Sequence, residues 1–278
     1  MSEIKFLDGA NGTCLWAKTD DKGPVWRYNE INPAIVRELA GEYIAAGSNF
    51  ILSNTFSANR PSVEPFGFAV EDIVRKGVAI AKEVADGKAK VLLDIGPLTG
   101  MLEPFGNITK EEAKEYFAEM IDAGMKENPD GILLETFMDL EMLKIAAAEA
   151  KRYDVPLMCS MSFTKYNPKK GGRTMFGNTP AQIAKELAQF EPIAIGLNCS
   201  EGPEETYPII KEFSEVTEIP LIYKPNAGTP TEEGGSEFDY NVFAEEVSKA
   251  ALLPGVTYIG GCCGSGPNYI EALVKKLG

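Results

Sequence analysis

Histidine is absent from this 278-residue sequence. That absence removes imidazole acid–base chemistry, imidazole metal ligands and any Ser-His-Asp triad. A metal must then be held by Cys, Asp, Glu, Asn or Tyr, and protons must move through those groups, a lysine or water. Cysteine is sparse and odd in number, at five, which argues against a disulfide scaffold and for a reducing compartment. Basic residues are outnumbered, 27 Lys and Arg against 41 Asp and Glu, for a formal net charge of −14. Such an excess of acid argues against nucleic acid or an anionic membrane surface as partner. No basic stretch leads into an apolar run at the start, and no apolar run is long enough to span a bilayer. The expectation is a cytoplasmic enzyme with no membrane or nucleic-acid partner.

What is present is a repeated pattern. Hydrophobic residues make up 44% of the chain, ample for a large core. Short apolar runs occur at about residues 5–8, 49–52, 90–97, 131–137, 156–163, 194–199, 220–226 and 256–263. Each reads as a strand buried on both faces, as in a parallel sheet. Helical stretches follow at about 33–46, 69–86, 109–127, 139–153, from 179, and at 203–216, 239–252 and 267–277. Asn32 before Pro33 reads as an N-cap, and Thr109 with Glu112 as a capping box. The stretch holding Trp16, Trp26 and Tyr28 reads as irregular. A Gly- and Glu-rich loop follows the seventh run, and Lys169-Lys170-Gly171-Gly172-Arg173 reads as a solvated loop tip. Eight strand–helix units in this length predict a single-domain α/β (β/α)8 TIM barrel over residues 1–278. No G-x-G-x-x-G follows the first strand, which argues against a doubly wound sheet. The loops after the first and fifth strands are among the longest and are candidate lids or substrate walls.

The strand C-terminal ends form the active face of such a barrel. Here they carry Asp8, Asn54 with Thr55, Asp94, Glu135 with Thr136, Ser160 and Ser162, Asn198 with Cys199, Asn226, and Cys262 with Cys263. Adjacent cysteines on a regular strand point to opposite faces. Inside Gly260-Gly261-Cys262-Cys263-Gly264 the backbone can bend and turn both sulfurs toward one point. Cys199, from another strand end, completes a set of three thiolates able to hold Zn2+ with one position open. Cys14 and Cys159 read as small apolar filler. Three thiolates acidify a bound water poorly, so the site better suits a substrate thiol, which loses its proton on coordination. Attack of that sulfur on a methyl carbon is the simplest reaction. Asn226 could fill the open position while substrate is absent.

The motifs Leu7-Asp8-Gly9-Ala10-Asn11-Gly12-Thr13, Asn54-Thr55-Phe56, Gly96-Pro97, Leu134-Glu135-Thr136, Gly196-Leu197-Asn198-Cys199, Pro225-Asn226-Ala227-Gly228 and Gly260-Gly261-Cys262-Cys263-Gly264 resemble those of the homocysteine S-methyltransferase family. The resemblance spans essentially the whole chain. It implies a zinc barrel with Cys199, Cys262 and Cys263 as ligands and homocysteine as thiol acceptor, giving methionine. It also implies that Asp8 and Glu135 hold the homocysteine amino group, with Thr55 and Asn198 near the substrate. Groups near Ser160 and Ser162 would take its carboxylate. Two places depart from the family pattern: Leu52-Ser53 before Asn54, and Gly264-Ser265-Gly266-Pro267-Asn268-Tyr269 after Cys263. With no folate, cobalamin or S-adenosylmethionine domain in view, the expected donor is a methyl-corrinoid on a separate protein, or a small sulfonium or betaine. A cationic donor would face aromatic rings, for which Trp16, Trp26, Tyr28, Phe56 and Phe137 are candidates. The other reading is a zinc barrel for another thiol, or a demethylase component of a corrinoid-dependent system.

Overall fold

The computed structural model describes residues 3–228 and 238–278, so the expected Gly- and Glu-rich loop at 229–237 lies outside the described residues. Eight strands, β1 (Lys5–Phe6), β2 (Phe50–Leu52), β3 (Lys90–Ile95), β4 (Gly131–Phe137), β5 (Leu157–Met161), β6 (Ala194–Cys199), β7 (Leu221–Pro225) and β8 (Val256–Ile259), alternate with helices. All paired strands are parallel, in the order β1-β8-β7-β6-β5-β4-β3-β2. The seam between β1 and β2 is closed by fewer bonds. The Asn49 N–H donates to the Phe6 carbonyl at 2.8 Å, and the Phe6 N–H to Asn49 Oδ1 at 2.7 Å. Asp8 Oδ2 accepts from the Leu52 N–H at 2.7 Å, where a ladder bond would otherwise stand. The result is the TIM barrel that the pattern of runs predicts.

Strand alternation divides the side chains into two sets. One set points outward under the helices. The other fills the barrel, with Leu92, Leu133, Met158, Ala194, Ile222 and Tyr258 buried in a single apolar layer. Burying each large side chain of this kind contributes about 1.5–3 kcal/mol. Two residues further along each strand, at the C-terminal end, the inward positions change character: Asp94 follows Leu92, Glu135 follows Leu133, Ser160 follows Met158, Asn198 follows Ala194 after Gly196, and Lys224 follows Ile222. The barrel is thus an apolar plug below and a polar floor above. Gly196 is required in β6, since a Cβ there would stand 2.0 Å from the Ile222 carbonyl oxygen.

The helices start as their caps direct. Thr109 and Glu112 form the expected capping box, and Thr179 with Gln182 forms another. Asn32 precedes Pro33–Ala45, but its side chain makes no capping bond. The stretch expected to be irregular contains a helix, Asn11–Ala17, and a 3-10 turn, Val25–Arg27. Seven residues without a capping side chain and with two glycines close by carry little local helical signal. Packing against the barrel, through buried Leu15, decides it. Cys262 and Cys263 lie beyond β8, in the turn rather than in the strand. At the predicted loop tip Lys169 and Lys170 are exposed, while Gly172 is buried and donates to Glu212.

Candidate active site

Cys199, Cys262 and Cys263 are brought together, with their three sulfurs all within 4.8 Å of one another. Cys199 Sγ and Cys263 Sγ are 3.8 Å apart. A tetrahedral zinc with Zn–S bonds of about 2.3 Å has sulfur–sulfur edges of about 3.8 Å, so this donor set fits the metal. The backbone is shaped to make the convergence. Cys199 and Ser200 take left-handed conformations, φ 56° and 68°, at the end of β6. Such values are uncommon for non-glycine residues and strained. They turn the Cys199 side chain off the alternating path of the strand. On the opposite side, the Cys262 N–H donates to the Pro225 carbonyl at 2.9 Å, and the Cys263 carbonyl accepts from the Ala227 N–H at 2.9 Å. The turn is thereby tied to the end of β7.

Ser265 closes this turn, its hydroxyl donating to the Cys262 carbonyl at 2.6 Å and its own carbonyl accepting from the Ala10 N–H at 2.9 Å. Gly9 lies beneath it, and a Cβ on Gly9 would stand 2.2 Å from the Ser265 oxygen. Gly9→Ala should therefore push the double-cysteine turn outward. We expect a 10- to 100-fold weaker zinc affinity (roughly the range for lost outer-shell support) at nearly unchanged helix content, read by chelator competition beside circular dichroism.

As bare thiols the three hinder one another's ionisation. For Cys199 a hydrogen bond with Cys262 favours the thiolate, but Cys263 and burial outweigh it and hold the thiol up at about 12. Cys262 is pushed well up, first by its bond with Cys199 and then by burial. A divalent cation reverses this logic, because coordination removes the thiol proton. Cys159 and Cys14 stay outside the cluster, as expected. Cys159 is fully buried in the core, and Cys14 contacts the Tyr43 hydroxyl at 3.6 Å.

Asn198 is the hub behind the cysteines and is fully buried. Its Oδ1 accepts from the Thr136 N–H at 2.8 Å and from the Ser160 hydroxyl. Its Nδ2 donates to Thr136 Oγ1 at 2.7 Å and faces Cys262 Sγ at 3.8 Å. Thr136 itself has φ 65°, and this network holds it there. The Asn226 Nδ2 donates to the Ser200 carbonyl at 3.0 Å, whereas its Oδ1 is buried with no partner among the described residues. A free oxygen beside the Cys199 segment suits the role expected of a provisional metal ligand.

Other expected site residues are engaged elsewhere. Thr55 is fully buried and spends its hydroxyl on the Asp94 carbonyl, at 2.6 Å. Ser160 is committed to Asn198. Ser162 Oγ lies 3.4 Å from Ser200 Oγ. These hydroxyls shape the floor.

The two acids expected to face an amino group meet a lysine that sequence reasoning passed over. Lys224 Nζ lies 3.4 Å from Asp8 Oδ1 and 3.2 Å from Glu135 Oε2, with Lys224 and Asp8 each only 1% exposed. Strand alternation was the available signal, since Lys224 stands two residues past inward-facing Ile222. Burial pushes the Asp8 carboxyl up to about 6 against the pull of Lys224. Burial also works against the Lys224 charge, but Glu135 and Asp8 outweigh it and raise its pKa. Asp94 completes the group. Burial, then the Glu135 charge, pushes its carboxyl well above the usual range.

Above the floor opens a cavity of about 580 Å³, lined by Cys199, Cys262, Cys263, Asp94, Glu135 and Lys224 at its base. Its walls are Trp16, Pro24, Trp26, Phe56, Pro61 and Phe66. They come from the loops after β1 and β2. The β1 loop is a wall, as its length suggested, but no residue of the β5 loop lines the cavity. Tyr28 and Phe137 are not cage residues. Tyr28 is buried with its hydroxyl on the Asp21 carbonyl, and Phe137 packs on Phe117 at 5.9 Å between ring centres, under the helices. No helix among the described residues is long and apolar enough to cross a membrane.

Comparison with known proteins bears on the same site. A family model described as homocysteine S-methyltransferase matches residues 5–277. The methionine synthase of Mycobacterium tuberculosis is 30% identical over 302 aligned residues, covering 97% of this chain and 24% of that protein. The methionine synthase of Mycobacterium leprae is 28% identical over 274, covering 90% of this chain and 22% of that protein. The chain thus spans about a quarter of the length of these relatives. Among solved structures, the Escherichia coli homocysteine methyltransferase MmuM in its oxidized form superposes with a TM-score of 0.82 at 20% identity, covering 98% of this chain and 96% of that one. Its metallated form gives 0.81 at 19% identity, covering 99% and 96%. At these identities the superpositions speak for the fold.

Proposed function

We propose that this chain, which belongs to the homocysteine S-methyltransferase family, moves a methyl group onto the thiol of homocysteine, giving methionine, with zinc held by Cys199, Cys262 and Cys263. The observation that carries the reading is the convergence of three thiols at the base of an open cavity. Zinc in such a site supplies the charge that lets a thiol lose its proton near neutral pH without a histidine base. The chain's own groups do the rest. Asn198 donates toward the Cys262 sulfur and braces Thr136. Asn226 Oδ1 would occupy the open position between turnovers. The existence of a metallated form of MmuM agrees with a metal on this fold.

For the donor we favour a methyl-corrinoid carried by a separate protein. Two of the cavity's rings are already engaged, Trp26 edge-on to Phe66 at 5.6 Å, with the Arg27 guanidinium over Phe66 at 5.4 Å. That resident cation opposes a sulfonium or betaine in the same place. The reaction would run in the cytoplasm, where thiols stay reduced, on residues 1–278 as one methyltransferase barrel.

Metal analysis with X-ray absorption tests the acceptor half. The expected result is about one zinc per chain, with three sulfurs rising to four on adding L-homocysteine. A sulfur count unmoved by homocysteine would overturn it. For the donor, methionine should form from methylcobalamin and homocysteine. Turnover with a methylated sulfonium or betaine but not methylcobalamin would reverse that preference.

A further inference from the structure

The aromatic walls of the cavity come from the loops after β1 and β2. On the other side of the barrel mouth, the loops after β3 and β5 turn large apolar side chains to solvent. Phe105 is 70% exposed, Met175 62% and Met101 45%. They form one surface. The rings of Phe105 and Phe176 stand 5.7 Å apart, and Gly106 lies so close to Met101 that a Cβ there would stand 2.2 Å from the Met101 oxygen. Thr99, two residues before Met101, lines the cavity, so this surface begins at its rim. Beside it the β5 loop forms a hairpin arm. The Thr164 N–H donates to the Arg173 carbonyl at 2.9 Å, Asn167 and Gly171 form an antiparallel bridge, and the Gly172 N–H is pinned by Glu212 Oε2 at 3.0 Å. The arm carries Lys165, Lys169, Lys170 and Arg173. Acids outnumber bases in this chain, 41 to 27, and cations elsewhere, such as Lys144, Lys151, Arg152 and Lys211, pair with them. Among the described residues none of the arm's four cations forms an ion pair. The Arg173 guanidinium rests on the Gly172 carbonyl at 2.7 Å.

Exposed apolar side chains rimmed by charge mark a protein contact. The complement of this one is an acidic face with an apolar centre. Resting on the reading of the methyl donor as a corrinoid carried by a separate protein, we propose that the β5 arm and the β3 loop dock that carrier, and that the carrier's docking face is acidic. The apolar rim supplies the buried centre of the contact, and the arm steers the approach. One exposed acid, Glu103, stands in the β3 loop, so the positive charge on this side belongs to the arm. The net charge of −14 does not cancel it. At physiological salt, charges beyond about 8 Å are screened, and an approaching face meets the local cations. A nucleic acid fits less well, because a single loop offers no track for a phosphate backbone.

The test passes an extract of the cells that make this protein over the immobilised, zinc-loaded full chain and follows corrinoid absorbance. Wild type should retain a corrinoid-bearing protein at about 0.15 M salt and release it at about 1 M, where screening is nearly complete. Lys165→Glu/Lys169→Glu/Lys170→Glu should weaken retention at least about tenfold, the lower end of electrostatic steering. Lys88→Glu/Lys275→Glu/Lys276→Glu, with the same net charge, should retain the carrier as wild type does. Phe105→Ser/Met175→Ser should also weaken retention. Free methylcobalamin should be turned over equally by wild type and every variant, because none of these side chains lines the cavity. Loss of that turnover in the arm variant would place the arm in the active site and overturn the proposal. Retention unchanged in the arm variant, or lost equally in the charge control, overturns the docking surface and leaves the donor reading intact. So does a wild type that turns over free methylcobalamin and retains no corrinoid protein. A wild type that uses a sulfonium or betaine but not methylcobalamin overturns the donor reading and this assignment together. Dimerisation of the wild type that the arm variant abolishes would give the face to a second copy of the chain and overturn the carrier.

Discussion

Cys262→Ser should yield a folded barrel that binds far less than one zinc per chain and transfers methyl groups at least about 1,000-fold more slowly, a loss of about 4 kcal/mol in transition-state stabilisation. The reason is geometric as well as chemical. Among the described residues three sulfurs converge, and no histidine exists to replace one. The neighbouring oxygen donor, Asn226, is neutral and cannot supply the lost negative charge. The fold should survive, because the cysteines sit half-exposed in a turn past β8 and not in the core. Cys159→Ala makes the opposite prediction. That thiol is fully buried among core side chains, so its truncation should lower the melting temperature while zinc content and activity persist. Metal analysis, melting curves and initial rates on the two variants check the contrast. Equal zinc content in wild type and Cys262→Ser would remove the metal assignment.

The second large effect belongs to Lys224. Lys224→Met should destabilise the protein by about 3–5 kcal/mol at pH 8, the usual cost of leaving buried charge without its partner. The groups facing Lys224 are Glu135, Asp8, Cys262 and Asp94. The pH dependence follows from Asp8, whose pKa is raised from 3.8 to about 6 even with the lysine present. A carboxyl with a raised folded-state pKa favours the fold fully below its unfolded value near 3.8, and that contribution is lost as the pH rises through about 6. Removing the cation raises the folded pKa further, so the cost of ionising the acids extends to higher pH. The deficit of Lys224→Met against wild type should therefore be largest at pH 8 and shrink below pH 6. Melting temperatures at pH 5.5 and 8, in fixed excess zinc, measure it. A deficit that does not change with pH would mean that the lysine acts by packing alone.

Much of this architecture was legible before any coordinates. Apolar runs mark all eight strands, and a capping box at Thr109 and a Thr179-Pro180 step mark helix starts, because burial of both sheet faces and satisfaction of helix ends are local demands that a sequence must meet locally. The helix at Asn11–Ala17 was not legible. It forms by packing onto the barrel and carries no cap of its own. The same division runs through the site. Residue chemistry singled out Cys199, Cys262 and Cys263, since thiols at two strand ends with no histidine have few other uses. The left-handed turn at Cys199 and Ser200 that aims one sulfur at the other two has no signature in residue type.

The acids show most clearly what distance along the chain conceals. Asp8, Asp94 and Glu135 were each visible as polar residues ending apolar runs, whereas Lys224, inside the seventh run, was not singled out. Which carboxylates meet the lysine depends on side chains from β4 and β7 and from the end of β1 meeting inside the barrel. Lys224 lies 216 positions from Asp8 and 89 from Glu135. The amino-acid sequence by itself determined the periodicity, the strand count and the inventory of reactive groups, all of which follow from nearest-neighbour chemistry. Only the closed barrel decided the pairings, because closure sets which inward-facing charges share one desolvated space.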